Sequence, residues 1–142
     1  MKNDYFKMVF PSLSENESFA RSVVGVYSLR FNPSVSEVSD IKTAVSEAVT
    51  NCIVHGYPKE VGEIVLECYK EGDRLHINVF DDGVGIENLQ EALEPFFTTK
   101  ADDERSGMGF TIMQSFMTEV RVESERGKGT KVYMVKNLGI DA

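Results

Sequence analysis

Glu47 and Asn51 stand four residues apart in the run Glu47-Ala48-Val49-Thr50-Asn51, and Asp81-Asp82-Gly83-Val84-Gly85 follows further along the chain. Residues four apart on a helix are neighbours on one face, so this carboxylate and this amide project side by side. An Asn oxygen is a hard ligand suited to Mg²⁺, which takes few protein groups and keeps water and phosphate oxygens for the rest. A Glu beside such a metal can orient or deprotonate a nucleophile. Asp81 continues the period-two series Leu75, Ile77, Val79 and is expected to point to the core side of a strand, away from His76, Asn78, Phe80 and Asp82. A carboxylate there needs donors, because a buried unpaired charge is costly. The exocyclic amino group of adenine, with a water, would meet that need, and Gly83 and Gly85 would let backbone approach a flat base.

Gly107-Met108-Gly109-Phe110 opens an apolar helix. Backbone N–H groups at a helix start, with glycines allowing close approach, form an anion site suited to phosphates. Phe96-Phe97-Thr98-Thr99-Lys100 and Arg105-Ser106 come just before it, and Lys100 and Arg105 are the cations to meet β- and γ-phosphates. The chain has no GxxxxGK[ST], since Gly127-Lys128 is followed by Gly129, and no GxGxxG. Together these parts describe a pocket for adenine, a metal ion and a triphosphate. Taken singly, each has a plainer explanation: a solvated helix face, an acid-capped turn, a charged loop.

The elements that must position these residues can be read from periodicity. Tyr5–Phe10 reads as a first strand. Ser14 with Glu17 forms a capping-box pair for an amphipathic helix through about Phe31, broken by Asn32-Pro33. Phe19, Ala20, Val23, Val24 and Tyr27 share its apolar stripe, with Arg21 and Ser28 off it. Ser34 with Glu37 forms a second capping box, and Ile41, Ala44, Val45, Ala48, Val49, Cys52 and Ile53 follow helical period up to Gly56 and Pro58. Strands are expected near Glu63–Tyr69 and Arg74–Phe80, joined around Glu71-Gly72-Asp73. The segment from Asp81 to Ser106 has little pattern beyond a short helix near Leu89–Leu93, which suggests a lid. A helix over Gly109–Met117 and strands over Val120–Glu125 and Thr130–Val135 follow, the last two turning at Gly127-Lys128-Gly129. This order implies an α+β fold, a two-layer sandwich with helices on one face of a mixed, mostly antiparallel sheet.

The 142 residues are expected to form one domain. A formal net charge of −8 argues against general nucleic-acid binding. There is no apolar run of membrane-spanning length and no signal-peptide pattern. Cys52 and Cys68 are isolated, Cys52 reading as a small core hydrophobe, so the reducing cytoplasm is the expected compartment. His55 and His76 read as structural, since no Ser or Cys partner is placed beside either.

With these motifs the chain resembles the GHKL ATP-binding superfamily of gyrase, Hsp90-type, histidine-kinase and MutL ATPase domains. Glu47-x-x-x-Asn51 matches its N box, Asp81-x-Gly83-x-Gly85 its first glycine box and Gly107-x-Gly109 its second. Thr130 matches the threonine that follows near the adenine. Ser14–Arg21, Glu47–Tyr57 and Pro95–Phe110 resemble, within it, the anti-sigma-F factors of spore-forming bacteria, which are also serine kinases.

The resemblance implies a Bergerat-type fold, ATP or ADP with Mg²⁺, and a homodimer in the cytoplasm. It implies two partners, a sigma factor (sigma F) and an anti-anti-sigma protein phosphorylated on serine. Glu47 would be the general base, Asn51 the Mg²⁺ ligand, Asp81 the adenine reader, and Arg105 the γ-phosphate contact. Thr98, Thr99, Lys100, Ser106, Gly107, Met108, Gly109, Phe110 and Thr130 would line the nucleotide. Phe110 stands where many superfamily members have leucine. Arg21 is a separate candidate, an exposed cation for an acidic partner.

Other readings are an ATP/ADP-sensing regulatory binding module, either of the anti-sigma-B type or without catalysis, and a histidine-kinase catalytic fragment. The second lacks a helix carrying a phospho-acceptor His.

Overall fold

The structure, a computed structural model, describes residues 4–93 and 109–139. Its strands are β1 (Tyr5–Pro11), β2 (Glu63–Glu71), β3 (Arg74–Asp81), β4 (Glu119–Ser124) and β5 (Thr130–Asn137). They form one sheet in the order β1-β2-β3-β5-β4. All four pairings are antiparallel, so the described sheet is antiparallel throughout, where a mixed, mostly antiparallel one was expected. The helices are α1 (Glu15–Ser28), α2 (Val35–Asn51), α3 (Leu89–Ala92) and α4 (Gly109–Phe116).

Period two sets the inner face of the sheet. Leu75, Ile77 and Val79 of β3 are fully buried, with Ile64, Leu66 and Cys68 of β2 and Val132 and Met134 of β5 beside them. From the helices Ala20 and Val24 of α1, Ile41, Ala44, Val45, Ala48 and Val49 of α2, and Met113 of α4 pack into the same core. That core orients the site, because Glu47 and Asn51 flank the α2 stripe and Asp81 ends the β3 series.

The two capping boxes have different outcomes. At α2 the box is complete: Ser34 Oγ accepts from Glu37 N–H at 3.0 Å, and Glu37 Oε1 accepts from Ser34 N–H at 2.8 Å. At α1 the box is absent, since Ser14 is already in helical geometry and its side chain makes no capping bond. Glu17 lies instead beside Arg21, one turn on, at 3.4 Å. The α1 stripe is also rotated from the expected one. Ser28 is fully buried, its hydroxyl donating to Gly25 C=O at 2.7 Å, whereas Phe19 is 54% exposed. Lys42 explains part of this, because its stem lies where a side chain at Gly25 would be and closes α1 onto α2 there.

Asn32 ends the first helical segment in the left-handed region at φ 53°, just ahead of Pro33. Beyond Asn51 the chain does not stop but widens into a π-helical turn over Cys52–Gly56. Such turns reset the angle at which a helix delivers the following backbone.

Candidate nucleotide and partner site

Asp81 is the best defined of the expected site residues. It is buried on the inner face at the end of β3, opposite Ile64 of β2 and Thr130 of β5. Its Oδ1 accepts from Gly83 N–H at 2.9 Å. Burial pushes its carboxyl above the ordinary range. The Gly83 amide, the Cys52 thiol and the Thr130 amide act in the opposite direction by donating to it, and nearby Asp82 adds to the upward push. Cys52 is therefore a core residue, as expected, and also a donor to Asp81. The buried setting and that carboxylate push its thiol well up.

The glycines around Asp81 serve approaches within the chain. A Cβ on Gly83 would fall 2.0 Å from Gly56 C=O, the group that accepts Val84 N–H at 2.9 Å. A Cβ on Gly85, at φ 75°, would fall 2.0 Å from Glu125 C=O. The crowding at both is with the chain's own backbone. Gly56 crowds Asp81 in turn, since a Cβ there would stand 2.8 Å from Oδ2. The π-helical turn thus packs directly against the carboxylate. Thr130 is buried, and its hydroxyl lies 2.7 Å from Ser124 Oγ, which accepts from Ile86 N–H and donates to Gly129 C=O. This network ties the turn after Asp81 to the β4–β5 hairpin.

Glu47 sits on the last full turn before Asn51, on the side of α2 that α4 covers. A Cβ on Gly109, the first residue of α4, would be 3.9 Å from Glu47 Oε2, so the carboxylate borders that helix start. Phe110 is buried in the core. Glu47 also lines a groove of about 310 Å³ with Arg21, Ser39, Lys42, Thr43 and Ser46. Arg21 and Glu47, unrelated in the sequence, therefore share one groove between α1 and α2. Thr98, Thr99, Lys100, Arg105, Ser106, Gly107 and Met108 lie outside the described residues.

The donor set fits the expected ligands. Asn51 ends α2 with a hard amide oxygen one turn from the Glu47 carboxylate, a pair suited to Mg²⁺ that keeps phosphate and water oxygens. Among the described residues no three His, Cys, Asp or Glu side chains gather into a metal cluster. A metal that depends on nucleotide oxygens needs none.

Residues 10–136 match the family of histidine kinase-like ATPase domains. The chain is 52% identical to an anti-sigma F factor of Thermoanaerobacter pseudethanolicus, covering 93% of this chain and 92% of that protein. It is 47% identical to one of Clostridium acetobutylicum, covering 99% and 98%.

The chain belongs to the anti-sigma F factor family.

Among solved structures, the RsbU and RsbW domains of a Mycobacterium tuberculosis protein superpose with a TM-score of 0.69 at 18% identity, covering 96% of this chain and 33% of that one. That likeness supports the fold alone. Among the described residues no helix is long and apolar enough to cross a membrane.

Three contributors to the site escaped the sequence reading. Cys52 looked like a core hydrophobe because only the packing of the π-helical turn against β3 brings it to Asp81. Gly56 looked like a helix stop, and Ser124 like an ordinary strand residue. The one available signal was the run Gly56-Tyr57-Pro58, where a glycine and an aromatic come shortly after the helix that carries Glu47 and Asn51.

Proposed function

We propose that this anti-sigma F family member is a Mg-ATP-dependent serine kinase that sequesters a sigma factor and phosphorylates the sigma factor's anti-anti-sigma antagonist. The observation that carries the reading is the position of Glu47. Its carboxylate borders both the start of α4 and a polar groove that also carries Arg21 and Lys42, on a chain about half identical to named anti-sigma F factors.

In this reading the groove admits the acceptor segment. Glu47 accepts the proton of the incoming serine hydroxyl as its oxygen bonds to the γ-phosphorus. The bond from that phosphorus to the β–γ bridging oxygen breaks, and ADP leaves with the bridging oxygen. Asn51 would hold Mg²⁺, which supplies neutralisation of phosphate charge when bound. Asp81 accepts from the adenine amino group, with Thr130 beside it. Gly107, Met108 and Gly109 offer backbone N–H groups to the phosphates, and Lys100, Arg105, Thr98, Thr99 and Ser106 complete the cover. Phosphoryl transfer asks mainly for such positioning and charge stabilisation.

Arg21 binds an acidic side chain of the partner. Its partial exposure and its place beside Lys42 in a chain of net charge −8 support that role. Residues 1–142 act as one domain, as a homodimer in the cytoplasm of a spore-forming bacterium.

The test mixes the purified chain with γ-labelled ATP, Mg²⁺ and an anti-anti-sigma protein, beside Glu47→Gln and Arg21→Glu. Label appears on a partner serine. Glu47→Gln abolishes it while still binding ATP, and Arg21→Glu weakens partner capture without altering ATP affinity. Nucleotide binding with no label in the unmodified chain would make the protein a binding module without catalysis.

A further inference from the structure

Tyr57 lies next to the carboxylate site, at the end of the Glu47–Tyr57 string, with no part in the chemistry described above. Its ring is buried, and its hydroxyl is inserted between two strands. The β2–β3 ladder ends at the pair Ile64–Asp81, and the next rung would join Glu63 to Asp82. In its place Tyr57 Oη accepts from Asp82 N–H at 2.7 Å and donates to Glu63 C=O at 2.6 Å. The strands are thus wedged apart by one hydroxyl at the residue that follows Asp81. Gly62 makes room for the wedge, because a Cβ there would fall 2.2 Å from the Tyr57 ring. Tyr57 is held from behind as well, its N–H donating to Cys52 C=O at 2.9 Å.

The consequence for Asp81 is geometric. The peptide after it is pinned by Tyr57 Oη, and the peptide after that by Asp81's own Oδ1. Without the hydroxyl, Asp82 N–H and Glu63 C=O, which it bridges, would be drawn together to pair directly. That closure would turn the end of β3 and carry the carboxylate with it.

We infer that Tyr57 is a positioning residue for Asp81, and that its hydroxyl wedge sets the preference for purine nucleotides bearing a 6-amino group. This rests on the reading of Asp81 as the adenine contact. Its chemistry is therefore testable with ATP against purine riboside triphosphate, which lacks only that amino group.

Equilibrium binding of both nucleotides with Mg²⁺ is measured on the full chain and on Tyr57→Phe, which keeps the ring. Tyr57→Phe weakens ATP roughly tenfold and the analogue less than about twofold, the size expected for losing one well-aligned polar contact. Equal losses for both nucleotides would mean a merely structural tyrosine, and no loss would mean that the wedge is irrelevant; either overturns the positioning role alone. An unmodified chain that binds both nucleotides equally would overturn the adenine reading itself.

A second measurement needs no variant. Because coupling is reciprocal, ATP slows hydrogen exchange at the Asp82 amide more than the analogue does at matched occupancy. Equal protection would overturn the inference.

Discussion

Asp81 is asked to do two things that oppose each other. As the proposed adenine contact it would accept from an amino group best when ionised, yet it is buried where ionisation is disfavoured. The donors from Gly83, Cys52 and Thr130 reduce that conflict without removing it. Since its carboxyl titrates above the ordinary range in the folded chain, the native state holds the proton more tightly than the unfolded state does. The stabilising contribution is then fully present below the unfolded carboxyl range and is lost as pH rises through the native value. Unfolding free energies of the unmodified chain and Asp81→Asn, compared across that window, should therefore diverge with rising pH, to the disadvantage of the unmodified chain. A constant difference would mean an ordinary carboxyl.

The direction of Asp81 was legible because strand period is strict: three buried residues at 75, 77 and 79 leave no other side for residue 81. Its donors were not legible, since Cys52 and Thr130 reach it only through tertiary pairing. The glycines illustrate the same limit. Gly83 and Gly85 were visible as places of close approach, but the neighbour is Gly56 C=O at one and Glu125 C=O at the other, both distant in sequence.

At the scale of elements, a capping-box pattern does not guarantee a cap. Ser34-x-x-Glu37 closes because Ser34 is extended, with ψ 164°, and turns its hydroxyl to the helix start. Ser14-x-x-Glu17 has the same spacing but follows Pro11-Ser12-Leu13. There the turn closes through backbone, with Glu17 N–H donating to Ser14 C=O, and Ser14 itself enters helical geometry. Ser34→Ala is thus expected to cost about 1 kcal/mol of unfolding free energy. Ser14→Ala should stay within roughly 0.5 kcal/mol of the unmodified chain. Urea titration of the two variants separates them, and equal losses would contradict the observed difference in caps. The helix and strand positions themselves were readable from periodicity, and the all-antiparallel pairing was not, because it depends on where β5 inserts.

At the scale of the whole molecule, Glu37 is the farthest-reaching single residue. Its Oε1 closes the α2 cap, and its Oε2 accepts from Gly139 N–H at 2.8 Å, 102 residues away in the sequence. One fully buried carboxylate therefore joins the start of the longest helix to the end of the last strand. Lys136 reinforces the same seam, its Nζ lying 3.0 Å from Asp40 of α2. Glu37→Ala leaves two backbone donors without partners and should lower stability by about 3 kcal/mol at an unchanged denaturant slope. A loss confined to fraying of residues near 139 would mean that the seam is local.

The strand order adds something about how the protein comes into being. β5, the last strand made, lies between β3 and β4 in the finished sheet. A nascent chain emerging from the ribosome can hold the β1–β2–β3 meander, but it has no β5 to place between β3 and β4 until residues 130–137 are out. Thr130, which shares a rung with Asp81, arrives on that same strand. The site therefore waits for β5, and a truncated product ending before that strand would carry Glu47, Asn51 and Asp81 yet have no finished pocket to hold them in.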